Sequence, residues 1–210
     1  MNKVKKLNEL ILKYIQESSN VQSNKDFIEL INSSIRNIGK IFNADRMYIF
    51  RYFWDKKITS NTFEWCNKGV EPQIDKLQNV PLNTITKWTD AHKSGEAMLI
   101  YSVDKLVDDD LKKVLSTQNI KSLFAFPIMK NNKCYGFFGL DYVKKEYKLT
   151  NDLINKLYDY QVVYNTALIF KNKNLKINNL KKEVKKLSDL DKKIISSVSH
   201  YVNTPLNLIK

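Results

Sequence analysis

Ile120-Lys-Ser-Leu-Phe-Ala-Phe-Pro-Ile-Met-Lys-Asn-Asn-Lys-Cys-Tyr-Gly-Phe-Phe-Gly-Leu-Asp-Tyr-Val143 is the stretch whose reading decides the fold. Its two runs of aromatic and aliphatic residues, Leu123–Met129 and Cys134–Val143, flank Lys130-Asn-Asn-Lys133 and read as a β-hairpin, with Gly136 and Gly139 lightening the second strand. A second pair of runs, Arg46–Trp54 and Ile58–Cys66, is separated by Asp55-Lys-Lys57 and reads as another hairpin. Between the hairpins the pattern vanishes from Asn67 to Pro81. That length, with Gly69, Pro72 and Pro81 inside it, marks a lid or binding loop. Leu82–Lys93 is predicted as a short helix, Ala97–Tyr101 as a strand and Val103–Thr117 as a helix.

Helices flank this block. Val4, Leu7, Ile11 and Ile15 fall at helical spacing near the N-terminus. Ser23-Asn-Lys-Asp26 reads as a capping box that opens a helix with one broad apolar face, from Phe27 through Ile31, Ile35 and Ile38 to Phe42. From Thr150, read as a cap, nothing in the sequence interrupts the helical period before Pro205. Such a helix outgrows a globular domain. Ile177, Leu180, Val184, Leu187, Ile194 and Val198 follow alternating steps of three and four, with Asp191 in the missing position, which predicts a parallel coiled-coil seam. Leu190 offers a competing phase one residue away. The expected architecture is therefore α/β (α+β): a five- or six-stranded antiparallel sheet flanked by helices, followed by a long coiled-coil helix.

The formal net charge of +13 raises nucleic acid as a partner, but its distribution argues against one. Residues 171–193 hold nine lysines against three acids and residues 1–25 hold five against two, so most of the excess sits on helical flanks. Only three of the 35 basic residues are arginines, the side chain best suited to bidentate phosphate and base recognition. No apolar run reaches the roughly 20 residues of a membrane span, and no signal peptide is recognisable, so a cytoplasmic location is expected. Cys66 and Cys134 lie far apart without CxxC spacing and read as reduced, buried thiols; no metal site is signalled. His92 reads as a surface histidine, and Asp108-Asp-Asp110 as a solvated helix start.

The element order over residues 24–170 resembles the GAF domain family. Phe63-Glu-Trp-Cys-Asn-Lys-Gly-Val-Glu-Pro-Gln-Ile-Asp-Lys-Leu-Gln-Asn-Val-Pro-Leu82 looks like a segment of GAF domains attached to kinases and cyclases, as do Ile120–Met129 and Gly136–Asp141. The resemblance implies a central antiparallel sheet with helices on one face and a small-molecule pocket between the other face and the long loops. Trp65, Trp88, Phe124 and Phe126 are the candidate pocket residues, weighed against the commoner fate of strand aromatics as core. No bilin, haem or cyclic-nucleotide determinant stands out, so no cofactor is identified.

Ser199-His-Tyr-Val-Asn-Thr-Pro-Leu206 resembles the phosphoacceptor box of histidine kinases, usually Ser-His-Glu-Leu-Arg-Thr-Pro-Leu. The resemblance makes His200 the phosphoacceptor, an imidazole being a competent acceptor near neutral pH. Tyr201 stands where a carboxylate is usual and Asn203 where a basic residue is usual. No glycine-rich ATP lid or Mg²⁺-binding asparagine motif follows His200, so ATP is expected to be used by a downstream domain and the chain is not expected to phosphorylate itself.

These readings divide the chain into an amphipathic helix (1–23), a GAF-like sensory domain (24–170), a coiled-coil signalling linker (171–193) and the start of a phosphoacceptor helix (194–210). The expected function is signal input to a two-component sensor histidine kinase: a homodimer that binds a small ligand and, in the full-length protein, serves a response regulator. The alternative is a ligand-binding or dimerisation module without kinase output. A free-standing enzyme like the GAF-like methionine sulfoxide reductases would need neighbouring catalytic cysteines, which the spacing of Cys66 and Cys134 does not offer.

Overall fold

The computed structural model describes residues 3–206, without the side chains of Asp109 and of residues 200–206. Two helices come first: α1 (Lys3–Ser18) and α2 (Asn24–Phe42). Ser23 opens α2 as a full capping box, its hydroxyl accepting from the Asp26 amide while the Asp26 carboxylate accepts from the amides of Ser23 and Gln22. The chain then forms β1 (Arg46–Phe53), β2 (Ile58–Cys66), β3 (Val80–Pro81), α3 (Thr86–Lys93, after a 3₁₀ turn), β4 (Met98–Ile100) and α4 (Asp109–Ser116). It closes with β5 (Ser122–Lys130), β6 (Lys133–Tyr142), α5 (Asn151–Tyr158) and α6 (Tyr160–Leu206).

The six strands of the described residues join one antiparallel sheet in the order β3-β2-β1-β6-β5-β4. Both predicted hairpins are present. At the β5–β6 turn Asn131 and Asn132 both take positive φ, 49° and 58°, the backbone a two-residue type I′ connection requires. The central β1–β6 pairing joins strands distant in sequence, Arg46 lying opposite Asp141 and Arg51 opposite Gly136.

The sheet is apolar on both faces, and strand alternation sorts its side chains into two cores. Met47, Ile49, Phe124, Phe126, Phe138 and Leu140 point to the face covered by α1, α2, α5 and α6. Tyr48, Phe50, Tyr52, Leu123, Ala125 and Phe137 point to the other face, covered by α3, α4 and the long loop. The first helix shares the helical core: Leu7, Ile11 and Tyr14 are buried in it, and the Tyr14 hydroxyl bonds Ser33 and Asn37 of α2.

Three predicted elements are corrected. The helix expected over Val103–Thr117 starts only at Asp109, because Asp108 caps it by accepting the Leu111 amide, while the Val103 amide is drawn to the Lys121 carbonyl. The helix expected to run unbroken from Thr150 is interrupted at Asp159. Flanking tyrosines there pull in different directions: Tyr158 accepts from the Ala97 amide at the sheet edge, and Tyr160 bonds Ser34 on α2. Thr150 occupies the cap position with extended backbone but its side chain makes no capping bond.

After Asp159, α6 runs for 47 residues and leaves the core after Ala167. Ile177, Leu180, Val184, Leu187, Leu190, Ile194 and Val198 are all exposed along it. Among the described residues no helix is long and apolar enough to cross a membrane.

The β1–β6 contact allows no side chain at Gly136, where an added Cβ would collide with the Phe50 carbonyl oxygen. Because the obstacle is backbone, Gly136→Ala is expected to destabilise the domain by about 1–3 kcal/mol, read from the urea midpoint at unchanged slope.

Candidate functional site

The floor of the site is charged and buried. Arg46, 2% exposed, donates through Nε to Asp141 Oδ2 at 3.1 Å, and the Tyr48 hydroxyl donates to Asp141 Oδ1 at 2.8 Å. Burial pushes the Asp141 carboxyl up to about 6, against the opposing pull of the Arg46 charge and the two hydrogen bonds. The remaining guanidinium nitrogens reach upward: Nη1 to the Glu71 carbonyl at 3.4 Å and Nη2 to the Gln118 carbonyl at 3.3 Å. Both contacts are long. One side chain on the sheet thus holds both covering segments, the long loop after β2 and the turn after α4.

Glu64 anchors the long loop independently, its Oε2 accepting from the amides of Gln73 and Ile74 at 2.8 and 3.0 Å. Asn79 and Gln78 add bonds to Ser60 and Asn61. The segment from Asn67 to Pro81 is therefore an ordered cover laid on the sheet and ending in the edge strand β3.

Between floor and covers lies a mainly apolar cleft walled by Phe50, Leu77, Ile85, Trp88, Leu115 and Phe137, with Arg46, Glu64 and Asp141 at its polar end. The volume open to the centre of a water molecule is about 60 Å³, room for a few waters or a very small solute. The Trp88 indole Nε1–H is buried at its edge and meets no acceptor among the described residues.

Of the aromatic residues singled out from the sequence, Trp88 lines this cleft. Trp65, Phe124 and Phe126 do not: strand alternation turns all three toward the helices, where Trp65 lies against Gly39 of α2 and Phe126 stacks on Phe138. The residues that sequence reading missed are Arg46, Glu64 and Asp141. A buried arginine paired across non-sequential strands leaves no local pattern; the one available signal was a charged residue, Arg46 or Asp141, near the end of a largely apolar strand. The backbone of α6 carries His200, whose side chain lies outside the described residues.

His92 is fully buried, which corrects the surface reading. It packs among Trp88, Tyr52 and Phe137. A carbonyl only accepts, so its Nε2 must carry the proton toward the Ala125 oxygen at 3.4 Å, and Nδ1 accepts from the Tyr52 hydroxyl at 2.8 Å. Burial lowers its pKa to about 3. Cys66 and Cys134 sit at opposite ends of the sheet, and burial raises their thiols to about 12 and about 11, so both remain protonated at neutral pH.

This architecture, with its long exit helix and a cleft between sheet and long loops, is the GAF fold. The GAF domain of a cyanobacterial phytochrome with phycoerythrobilin bound superposes with a TM-score of 0.66 at 14% identity, over 82% of this chain and 97% of that one. The blue-light absorbing PixJ GAF domain of Thermosynechococcus elongatus gives 0.57 at 12% identity, over 78% and 93%. Free methionine-R-sulfoxide reductase of Neisseria meningitidis, in complex with its substrate, gives 0.61 at 10% identity, over 82% and 94%. In sequence, the chain is 28% identical over 138 residues to the methanogenesis regulatory histidine kinase FilI of Methanothrix harundinacea, a match covering 64% of this chain and 16% of that kinase. No protein-family model matches the chain.

The buried histidine gives the domain an acid sensitivity of defined sign. Its folded pKa, about 3, lies below the ordinary 6.5, so its contribution is fully present above pH 6.5 and declines as pH falls toward 3. Asp141, with its pKa raised to about 6, acts in the opposite sense, its contribution declining as pH rises from the ordinary 3.8 through 6. In urea titrations at several pH values, wild type minus His92→Phe cancels the Asp141 contribution, and the difference should shift against wild type steadily below pH 6.5. A pH-independent difference would mean that His92 is not held neutral.

Proposed function

We propose that this chain is the signal-input region of a two-component sensor histidine kinase, in which a small molecule in the Arg46–Trp88 cleft controls the long helix leading to phosphoacceptor His200. The observation that carries the reading is the exposed apolar stripe from Ile177 to Val198 on a helix rooted in the sensory core. At 1.5 Å rise per residue that stripe extends far beyond the domain that anchors it. Its alternating three-and-four spacing suits pairing with the same helix of a second copy about a two-fold axis, residues 171–193 forming the linker and residues 194–210 the start of the phosphoacceptor helix. The similarity to the FilI kinase supports the same assignment.

The ligand enters under the covers that Arg46 holds. A molecule competing for its guanidinium releases the Glu71 and Gln118 carbonyls, which loosens both covers at once. The cleft dimensions favour a small, largely apolar molecule with one polar group, for which the Trp88 indole N–H, without an acceptor among the described residues, is a donor. A bilin of the kind bound by the phytochrome neighbour would fit only with the long loop displaced. The protonated thiols at opposite ends of the sheet lend no support to the sulfoxide reductase chemistry of another neighbour.

Asp191 in the seam weakens a dimer, and Leu190 supplies a second helix phase, so ligand-dependent changes in the domain need shift the helix only slightly to alter how His200 is presented. A downstream domain supplies ATP and a response regulator receives the phosphoryl group in the full-length protein. Replacing both Val184 and Leu187 by Asp is expected to convert a dimer into monomers in sedimentation velocity. His200→Gln is expected to abolish phosphorylation of the full-length protein. A dimeric wild type with unphosphorylated His200 would leave a dimerisation module without kinase output.

A further inference from the structure

A second concavity lies on the helix-bearing face of the sheet, between β1, the β5–β6 hairpin, α2 and α6. About 430 Å³ of it is open to the centre of a water molecule, several times as much as in the cleft. Arg51 from β1, Lys130 from the end of β5 and Lys171 from α6 converge on it, and among the described residues no carboxylate lines it. Other lysines on the domain have found acids, as in Lys25–Glu29, Lys76–Glu71, Lys87–Asp108 and Lys156–Asp159. Among the described residues these three cations have no ion-pair partner. Arg51 instead lies over the Phe53 ring at 5.0 Å and Lys171 over the Phe27 ring at 4.5 Å.

The cations feel one another. Partial burial and the nearby Arg51 charge both lower the Lys171 pKa, and the same Arg51 charge opposes the burial that raises the Tyr164 hydroxyl. Like charges facing each other across a half-dry groove repel, and the repulsion acts between the sheet and the helix that leaves it. An anion placed between them reverses its sign. The donors fit such a guest: a guanidinium fork, two ammonium groups and the Tyr164 hydroxyl stand above an apolar wall of Phe27, Phe63 and Leu168.

We propose that this groove is a second ligand site, separate from the Arg46–Trp88 cleft, which takes a small organic anion by its phosphate or carboxylate group at Arg51, Lys130 and Lys171. The apolar body of the guest lies against the aromatic wall. The occupant ties α6 to β1 just before the exposed seam begins, so its binding holds the exit helix against the sheet. That regulatory consequence rests on the signalling function proposed above; the site itself does not.

Phenyl phosphate and inorganic phosphate serve as probes, titrated at constant ionic strength and followed by the Arg51 Nε–H and the Asn165 and Asn172 side-chain amide signals in NMR. Saturable shifts at these groups are expected, phenyl phosphate binding more tightly than inorganic phosphate. Arg51→Gln and Lys171→Gln should each weaken phenyl phosphate by about tenfold, while Lys145→Gln on a distant loop leaves it unchanged. Both groove residues lie at the rim, and matching thermal melts of the variants would confirm intact folds. Absence of saturation, or equal affinity in wild type and both groove variants, would overturn the site. Neither result bears on the seam or on His200, so the two proposals fail separately.

Discussion

A guanidinium taken almost wholly out of water is the constraint around which this domain is arranged. Removing a charge from water costs several kcal/mol, and only close partners offset it. Arg46 finds Asp141 directly across the β1–β6 pairing, and Tyr48 completes the carboxylate. The raised Asp141 pKa indicates that burial outweighs the attraction even so. The pair is better understood as fixing geometry than as a source of stability. It sets β1 against β6 in register, and the remaining guanidinium nitrogens hold two covering segments by their carbonyls.

Glu64 repeats the device at lower burial. One carboxylate oxygen accepts two consecutive amides of the long loop, which would otherwise need partners of their own above an apolar cleft. The two charged residues divide the work: Glu64 holds the middle of the cover whether or not the Arg46 contacts are made, whereas Arg46 holds its Glu71 end and the Gln118 turn through contacts longer than 3.2 Å. A cover with one firm and one loose attachment can swing without leaving the sheet.

The parts of the fold legible in the sequence were those set by local pattern. The capping box at Ser23, both hairpins and the apolar face of α2 rest on contacts within a few residues and appear where the spacing put them. The long α6 was legible as helix, but its break at Asp159 was not, because it depends on Tyr158 and Tyr160 bonding to different distant partners. Pocket lining was read less well for a related reason. In a sheet buried on both faces, aromatic content does not say which face a residue takes; parity alone puts Phe124 and Phe126 on the face opposite to Leu123 and Ala125. His92 was misread because a histidine in a polar segment gives no hint of the tyrosine forty residues earlier that accepts it into the core.

Parity also explains how one strand can serve two sites. Along β1, Arg46, Tyr48 and Phe50 face the loop side, while Arg51 faces the helices. A register shift in the β1–β2 pairing falls at Ile49–Phe50, just before the two sites meet, and Phe50 borders both the cleft and the groove. Behind Phe50 the Gly136 backbone is packed so closely that no methyl group fits, and Phe137 is stacked on its ring. A displacement of Phe50 from the cleft side would therefore press on close-packed neighbours. The groove beside α6 borders the same residue and is bounded by residues of that helix that precede its exposed stripe. The fold thus places a close-packed contact between the cleft under the covers and the helix that leaves the domain.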